Sequence, residues 1–83
     1  MATEGRFVIE NKSARVLMLC VEPEGAIFPL AVGECVVVYD PFVGDPATLR
    51  FTQGDSGEPF LSVWPGDGDT RVEKGGVNLL DTL

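Results

Sequence analysis

The chain has 83 residues, 45% of them hydrophobic, and its 13 acidic and 6 basic side chains give a net charge of −7. This length allows one small domain, which we expect to span residues 1–83, and the apolar content favours a packed core over disorder. Nucleic acid and anionic membranes are bound by clustered cations, which this sequence lacks, so we expect neither as a partner.

Apolar and β-branched runs recur about every ten residues, with Gly, Pro and Asp between them. Short strands at this spacing are typical of antiparallel sandwiches and barrels. The sequence therefore predicts an all-β fold: one small antiparallel sandwich, Greek-key or prealbumin-like, with about seven strands and no significant helix. The predicted strands are Phe7–Ile9, Val16–Val21, Ile27–Leu30, Cys35–Tyr39, Leu49–Thr52, Leu61–Trp64 and Arg71–Glu73.

The first two runs differ in pattern. Phe7 and Ile9 are predicted to face inward while Glu10 faces water, whereas Val16–Val21 is apolar without interruption. An uninterrupted run predicts a central strand, either buried on both faces or covered on one face by the C-terminal segment or by a second protomer. The intervening Asn11-Lys12-Ser13 fits the glycosylation acceptor pattern, but we interpret it as a hairpin turn.

The later runs carry further expectations. Pro29 cannot donate to a strand ladder, so its strand is predicted at a sheet edge. Leu49 and Phe51 are predicted to point inward. The tail at residues 77–83 is expected either to pair as a last strand or to lie across an exposed face.

Two cysteines, Cys20 and Cys35, lie within apolar runs. One interpretation is two reduced, buried thiols. The other is a disulfide between neighbouring strands, which would stabilise so small a core by roughly 3 kcal/mol. The sequence leaves both open.

Enzymatic activity is not expected. The chain has no histidine, its cysteines lack an obvious activating cation, and its acids lie in turns. No cofactor is predicted. Asp67 and Asp69 are candidate calcium ligands, but calcium takes six to eight oxygens and these residues also form good turns, so we predict no metal site.

Two groups of residues are candidates for binding. In the loop Asp40–Pro46, an apolar segment lies between two prolines and suggests partner contacts through Pro41, Phe42 and Val43. The alternative is that Phe42 closes the end of the sandwich. Trp64 and Tyr39 are candidates for a sugar-binding platform, although aromatic residues in such a fold also pack in the core.

The order Asn11-x-Ser13, Glu22-Pro23-x-Gly25 and Leu30-x-x-Gly33-Glu34 before a valine-rich strand resembles small uncharacterised bacterial β-sandwich proteins. This chain has Ala31-Val32 where that layout usually has two prolines. The same order, continuing into residues 42–46, is faintly similar to the prealbumin-like β-domain of the von Hippel–Lindau protein. The His and the Trp-Leu-Phe-Arg that follow the loop there are missing, so the resemblance implies the fold and carries over no binding role.

These observations favour a non-enzymatic protein-interaction module or accessory subunit, binding through residues 40–46 or an apolar sheet face, with a protein partner or with itself. The alternatives are a small-ligand domain for carbohydrate or calcium and a structural assembly protein. The opening Met1–Arg6 lacks the pattern of a secretory signal, so we expect a cytoplasmic protein.

Overall fold

A computed structural model describes residues 5–41 and 43–82, and within these ranges the chain is all-β with one short 3₁₀ turn. The predicted strands form with small shifts in their bounds, and the tail adds an eighth. None of the helical structure in these ranges is long and apolar enough to cross a membrane. The strands are β1 Gly5–Glu10, β2 Leu17–Val21, β3 Ala26–Leu30, β4 Cys35–Asp40, β5 Thr48–Gln53, β6 Pro59–Trp64, β7 Arg71–Lys74 and β8 Val77–Asn78, followed by the 3₁₀ turn Leu79–Thr82.

The strands form two sheets with the orders β1-β4-β7-β8 and β3-β2-β6-β5. The described pairs are antiparallel except β2–β6, which is parallel and departs from the predicted fully antiparallel arrangement. β2 is central and β3 is at an edge, which confirms the predictions from the apolar run and from Pro29. Of the two expectations for the tail, pairing as a last strand is the one that forms.

The core lies between the two sheets. Alternate residues of the central strands supply it because successive side chains of a strand point to opposite faces. Phe7, Ile9, Phe28, Leu49 and Leu80 pack around it with partial exposure. The buried cluster consists of Leu17, Leu19, Val21, Leu30, Val36, Val38, Leu61, Val63, Val72 and Leu79.

The segment after β1 carries the chain from one sheet to the other, so the predicted hairpin at Asn11-Lys12-Ser13 is wrong. Asn11 is 3% exposed. Its Nδ2 donates to the carbonyls of Arg15 (2.9 Å) and Leu30 (2.8 Å), and its Oδ1 accepts from the Ser13 amide (3.0 Å) and hydroxyl (2.7 Å). One amide side chain thus fixes the crossover, because a chain leaving a sheet must satisfy its backbone groups with other partners.

Two expectations about the burial of individual side chains are wrong, although the predicted side of the sheet for Phe51 is right. Phe51 lies on the inner side of its sheet, opposite Leu61, yet it is 74% exposed because the facing sheet does not cover β5 at this position. Cys35 begins β4 and is exposed, since it lies on the outer side of that strand, whereas Cys20 is buried.

We predict that Asn11→Asp destabilises the fold by about 1–3 kcal/mol, because the two carbonyls that accepted its amide hydrogens would face a carboxylate. Thermal unfolding should show a fall in Tm of at least about 4 °C. The same amide-to-acid change at exposed Gln53, Gln53→Glu, is the control and should change Tm little. Equal Tm values for the two variants would contradict the role assigned to Asn11.

Candidate functional site

The loop that follows β4 is tied down at both ends. The side chain of Asp40 is 1% exposed, and its Oδ2 accepts a hydrogen bond from the Ala47 amide at 2.6 Å. Asp67 joins the same loop to the β6–β7 connection: its Oδ2 accepts from the Asp45 amide at 3.0 Å, and its own amide donates to the Asp45 carbonyl at 2.9 Å. These bonds hold the two loops side by side at one end of the sandwich.

Two glycines permit this close approach. A side chain at Gly66 would collide with the backbone of Asp45 and Pro46, and one at Gly44 would collide with the Asp67 side chain. Gly44 also has a φ of +68°, which side-chain-bearing residues rarely adopt. The position of the 41–47 loop is therefore set by the neighbouring loop as well as by its own prolines.

The predicted contact residues of this loop have different environments. Pro41 is half-buried and lies close to Gly68, whereas the side chain of Val43 is 56% exposed. Phe42 lies outside the described residues, so the choice between a plug and a contact at that position stays open. Of the predicted set, Val43 is the side chain that the structure places at the surface.

The structure does not bring Trp64 and Tyr39 together. Tyr39 lies on the outer side of the β1-β4-β7-β8 sheet, where the Arg71 guanidinium stacks 4.6 Å from its ring centroid. Trp64 ends β6 on the outer side of the other sheet and is 38% exposed. The two rings face in opposite directions and form no shared platform.

Asp67 and Asp69 do not form part of a recognisable metal site. Asp67 uses Oδ2 to bind the neighbouring loop, and both residues are exposed. Within residues 5–41 and 43–82, no group of three or more acidic or thiol side chains is placed to hold a metal ion.

A cleft of about 550 Å³ opens at the same end of the sandwich. Val21, Val63, Val72 and Leu80 supply apolar parts of its lining. Its acidic side chains are Glu22, Glu24, Asp69 and Asp81, which the single cation Arg71 offsets only in part. Because the carboxylates are partly or fully exposed, the cleft is a negatively charged surface feature.

One uncovered surface with apolar residues lies on a sheet face. The outer side of the β3-β2-β6-β5 sheet faces away from the core, and we call it the open face. Its side chains are Met18, Cys20, Ile27, Pro29, Thr48, Arg50, Thr52, Phe60, Ser62 and Trp64.

Strand register arranges these side chains in rows. Pro29, Met18 and Phe60 are cross-strand neighbours, and Ile27, Cys20 and Ser62 form the next row. Ile27 is 51% exposed, whereas Cys20, which lies between Ile27 and Ser62 in this row, is 6% exposed. Burial raises the pKa of the Cys20 thiol, and Glu22 raises it further through its negative charge and a hydrogen bond. The open face thus carries an apolar row, with Arg50 on its outermost strand and the Glu22 carboxylate against Cys20.

The outer side of the other sheet is different. There Arg71 binds Glu73 with an Nε–Oε2 distance of 3.2 Å, and Arg6 and Glu10 flank Val8 on β1. Charged side chains on this side favour contact with water. Both sheets have one uncovered side, and only the open face is poor in charge.

Sequence reasoning missed most of the open face. The uninterrupted run around Cys20 indicated a second apolar side for β2, and Phe60 and Trp64 alternate with the core residues Leu61 and Val63 on the neighbouring strand. The missing information was that β2 pairs with β6, which are far apart in the sequence.

A comparison with protein-family models found none that matches the chain, and comparisons with curated proteins and with solved structures found no significant similarity. The resemblance to bacterial β-sandwich proteins and to the von Hippel–Lindau β-domain therefore stays an expectation.

The two free cysteines lie in different sheets, and no disulfide joins them. We predict that a maleimide modifies exposed Cys35 on the order of tenfold faster than Cys20, whose thiol is covered and whose raised pKa leaves less thiolate. Peptide mass spectrometry after timed labelling measures both rates, and denatured protein provides the control in which both react. Equal rates in the native protein would contradict the burial of Cys20.

Proposed function

We propose that the chain is a non-enzymatic protein-interaction module that binds its partner through the open face. The observation that supports this most is the cross-strand apolar row of Pro29, Met18 and Phe60, beside half-exposed Ile27. Contiguous apolar patches on a soluble domain are typical of interaction sites. Covering the exposed parts of these side chains removes apolar surface from water, which is the main favourable term in most protein association.

The charge around the open face indicates the chemistry of the partner. β2 and β6 run parallel, so the acids that follow them, Glu22 and Glu24 after β2 and Asp67 and Asp69 after β6, lie at the same end of the sandwich. An apolar face with an acidic border suits an apolar surface bordered by lysine or arginine. Such charge complementarity increases the association rate and excludes wrong partners.

The other candidate functions have less support. A joint sugar platform requires Trp64 and Tyr39 on the same side, and a calcium site requires more ligands than Asp67 and Asp69 provide. The contact loop at Pro41, Phe42 and Val43 remains a second candidate surface, because Val43 is exposed. The cytoplasmic location stays a prediction, and so does the bacterial origin that the resemblance implies.

The test uses two variants with the same charge change on opposite sides of the molecule. Ile27→Lys places a cation on the open face, and Val8→Lys places one at a 61% exposed position of the other sheet. Wild type and both variants serve as baits in a lysate of the source organism. A captured protein is then purified and its affinity for each bait is measured.

We expect a stoichiometric partner that binds wild type and Val8→Lys and loses most of its affinity for Ile27→Lys, with similar Tm values for all three baits. Equal binding to all three baits would contradict the proposal, and so would a wild-type bait that retains no stoichiometric partner. If the partner binds all three baits and loses affinity only for a further variant at Val43, the site would move to the 41–47 loop.

A further inference from the structure

The free edge of β5 is a second unpartnered feature, separate from the open face. β5 pairs with β6 on one side and ends the sheet on the other. Its inward-side residue Phe51 is the most exposed of the large hydrophobic side chains in the described parts of the chain, at 74%. An uncovered edge of this kind is a template for another strand.

Two hydrogen bonds determine which backbone groups of β5 face outward. The Gly54 amide donates to the Glu58 carbonyl at 2.9 Å, so Gly54 faces β6. Because backbone direction alternates along an antiparallel strand, Thr48, Arg50 and Thr52 also face β6. The residues whose backbone N–H and C=O groups face the free edge are therefore Leu49, Phe51 and Gln53.

The pairing of β6 with β2 indicates the same outward residues on β5. The Glu22 amide donates to the Val63 carbonyl at 2.9 Å, so Val63 faces β2, and alternate residues of β6 do likewise. This leaves Phe60, Ser62 and Trp64 to bond β5, and they are the residues opposite Thr52, Arg50 and Thr48.

The remaining sheet edges are protected in the ways that natural proteins use. β3 carries Pro29, and β8 has two residues. On β1 the Asn11 amide donates to the Glu34 carbonyl, so the outward positions are Arg6, Val8 and Glu10, of which two are charged. β5 has no proline or glycine, and its outward positions carry no charge. It is the unprotected edge of the described structure.

We propose that β5 pairs with β5 of a second copy of this chain, antiparallel, about a twofold axis at Phe51. Phe51 then lies opposite Phe51 of the second copy, and Leu49 lies opposite Gln53 in both directions. All the outward backbone groups of Leu49, Phe51 and Gln53 are used. A shift of two residues toward the start of β5 would leave Gln53 unused and place Arg50 opposite Arg50, which like charges disfavour.

The composition of β5 is compatible with a second copy of the chain as the occupant. The chain has a net charge of −7, so two copies repel each other wherever acids meet. β5 contains no acid, and its single charge is Arg50, so the chains meet at a position without carboxylates. The product is a continuous sheet in which the two open faces lie on the same side, because the twofold axis of an edge-paired antiparallel dimer is perpendicular to the sheet.

Sedimentation velocity from low micromolar to several hundred micromolar protein tests the association. Wild type and the control Val8→Lys should show a concentration-dependent dimer. Phe51→Lys should weaken dimerisation about tenfold or more, because it sets like charges opposite each other. Gln53→Pro should also weaken it, since it removes an outward N–H without breaking a bond to β6. A monomeric wild type, or loss of the dimer in Val8→Lys and not in Phe51→Lys, would overturn the proposal.

Oxidative cross-linking tests the register in a Cys35→Ser background. Phe51→Cys should form a disulfide dimer, since the two Cα atoms would lie about 5.5 Å apart, within disulfide range. Gln53→Cys should not, because its counterpart would be roughly 13 Å away along the strand. Equal cross-linking of the two variants would overturn this register.

The inference does not depend on the proposed partner site. Ile27→Lys should leave dimerisation unchanged, so the dimer proposal and the partner proposal can each be contradicted without affecting the other.

Discussion

The single apolar layer between the two sheets is the constraint on which the rest of the structure depends. With 83 residues the chain builds two four-stranded sheets and has nothing left, within its described parts, to cover their outer sides. Burial of the inner side chains is the main favourable term in folding such a small domain. Each outer side must then face either water or another molecule. The charged side around Arg71 and Glu73 suits water, and the open face does not.

Polar side chains hold the crossover and the paired loops at the ends of these two sheets. Asn11 satisfies backbone carbonyls where the chain leaves one sheet for the other, and Asp40 and Asp67 tie the loops that close one end. These polar contacts place the acids of the loops around the end of the sandwich, where they border the open face. The acids gather at the end of the sandwich because turns lie there and Asp is a common turn residue.

Much of the fold could be predicted because its signals are local. The turn spacing gave the strands, Pro29 gave an edge, and the run Val16–Val21 gave a central strand. The parallel β2–β6 pair and the crossover at Asn11 could not be predicted in the same way, since both depend on contacts between distant parts of the chain. Phe51 shows the limit most clearly. The alternating pattern of β5 correctly predicted that Phe51 lies on the inner side of its sheet. Its exposure, however, depends on how far the facing sheet extends. The open face was partly predictable from β2, whereas its breadth required knowledge of the neighbouring strands.

Acrylamide quenching of the single tryptophan tests most directly whether the open face is uncovered in the isolated chain. Trp64 lies on that face and is 38% exposed, so its emission reports on one position without interference from other tryptophans. We expect efficient quenching in dilute protein, and unchanged quenching when the protein is concentrated, because edge pairing through β5 leaves the face open. Trp64 emission that resists acrylamide in dilute protein would mean that the chain covers this face itself, and would contradict the account.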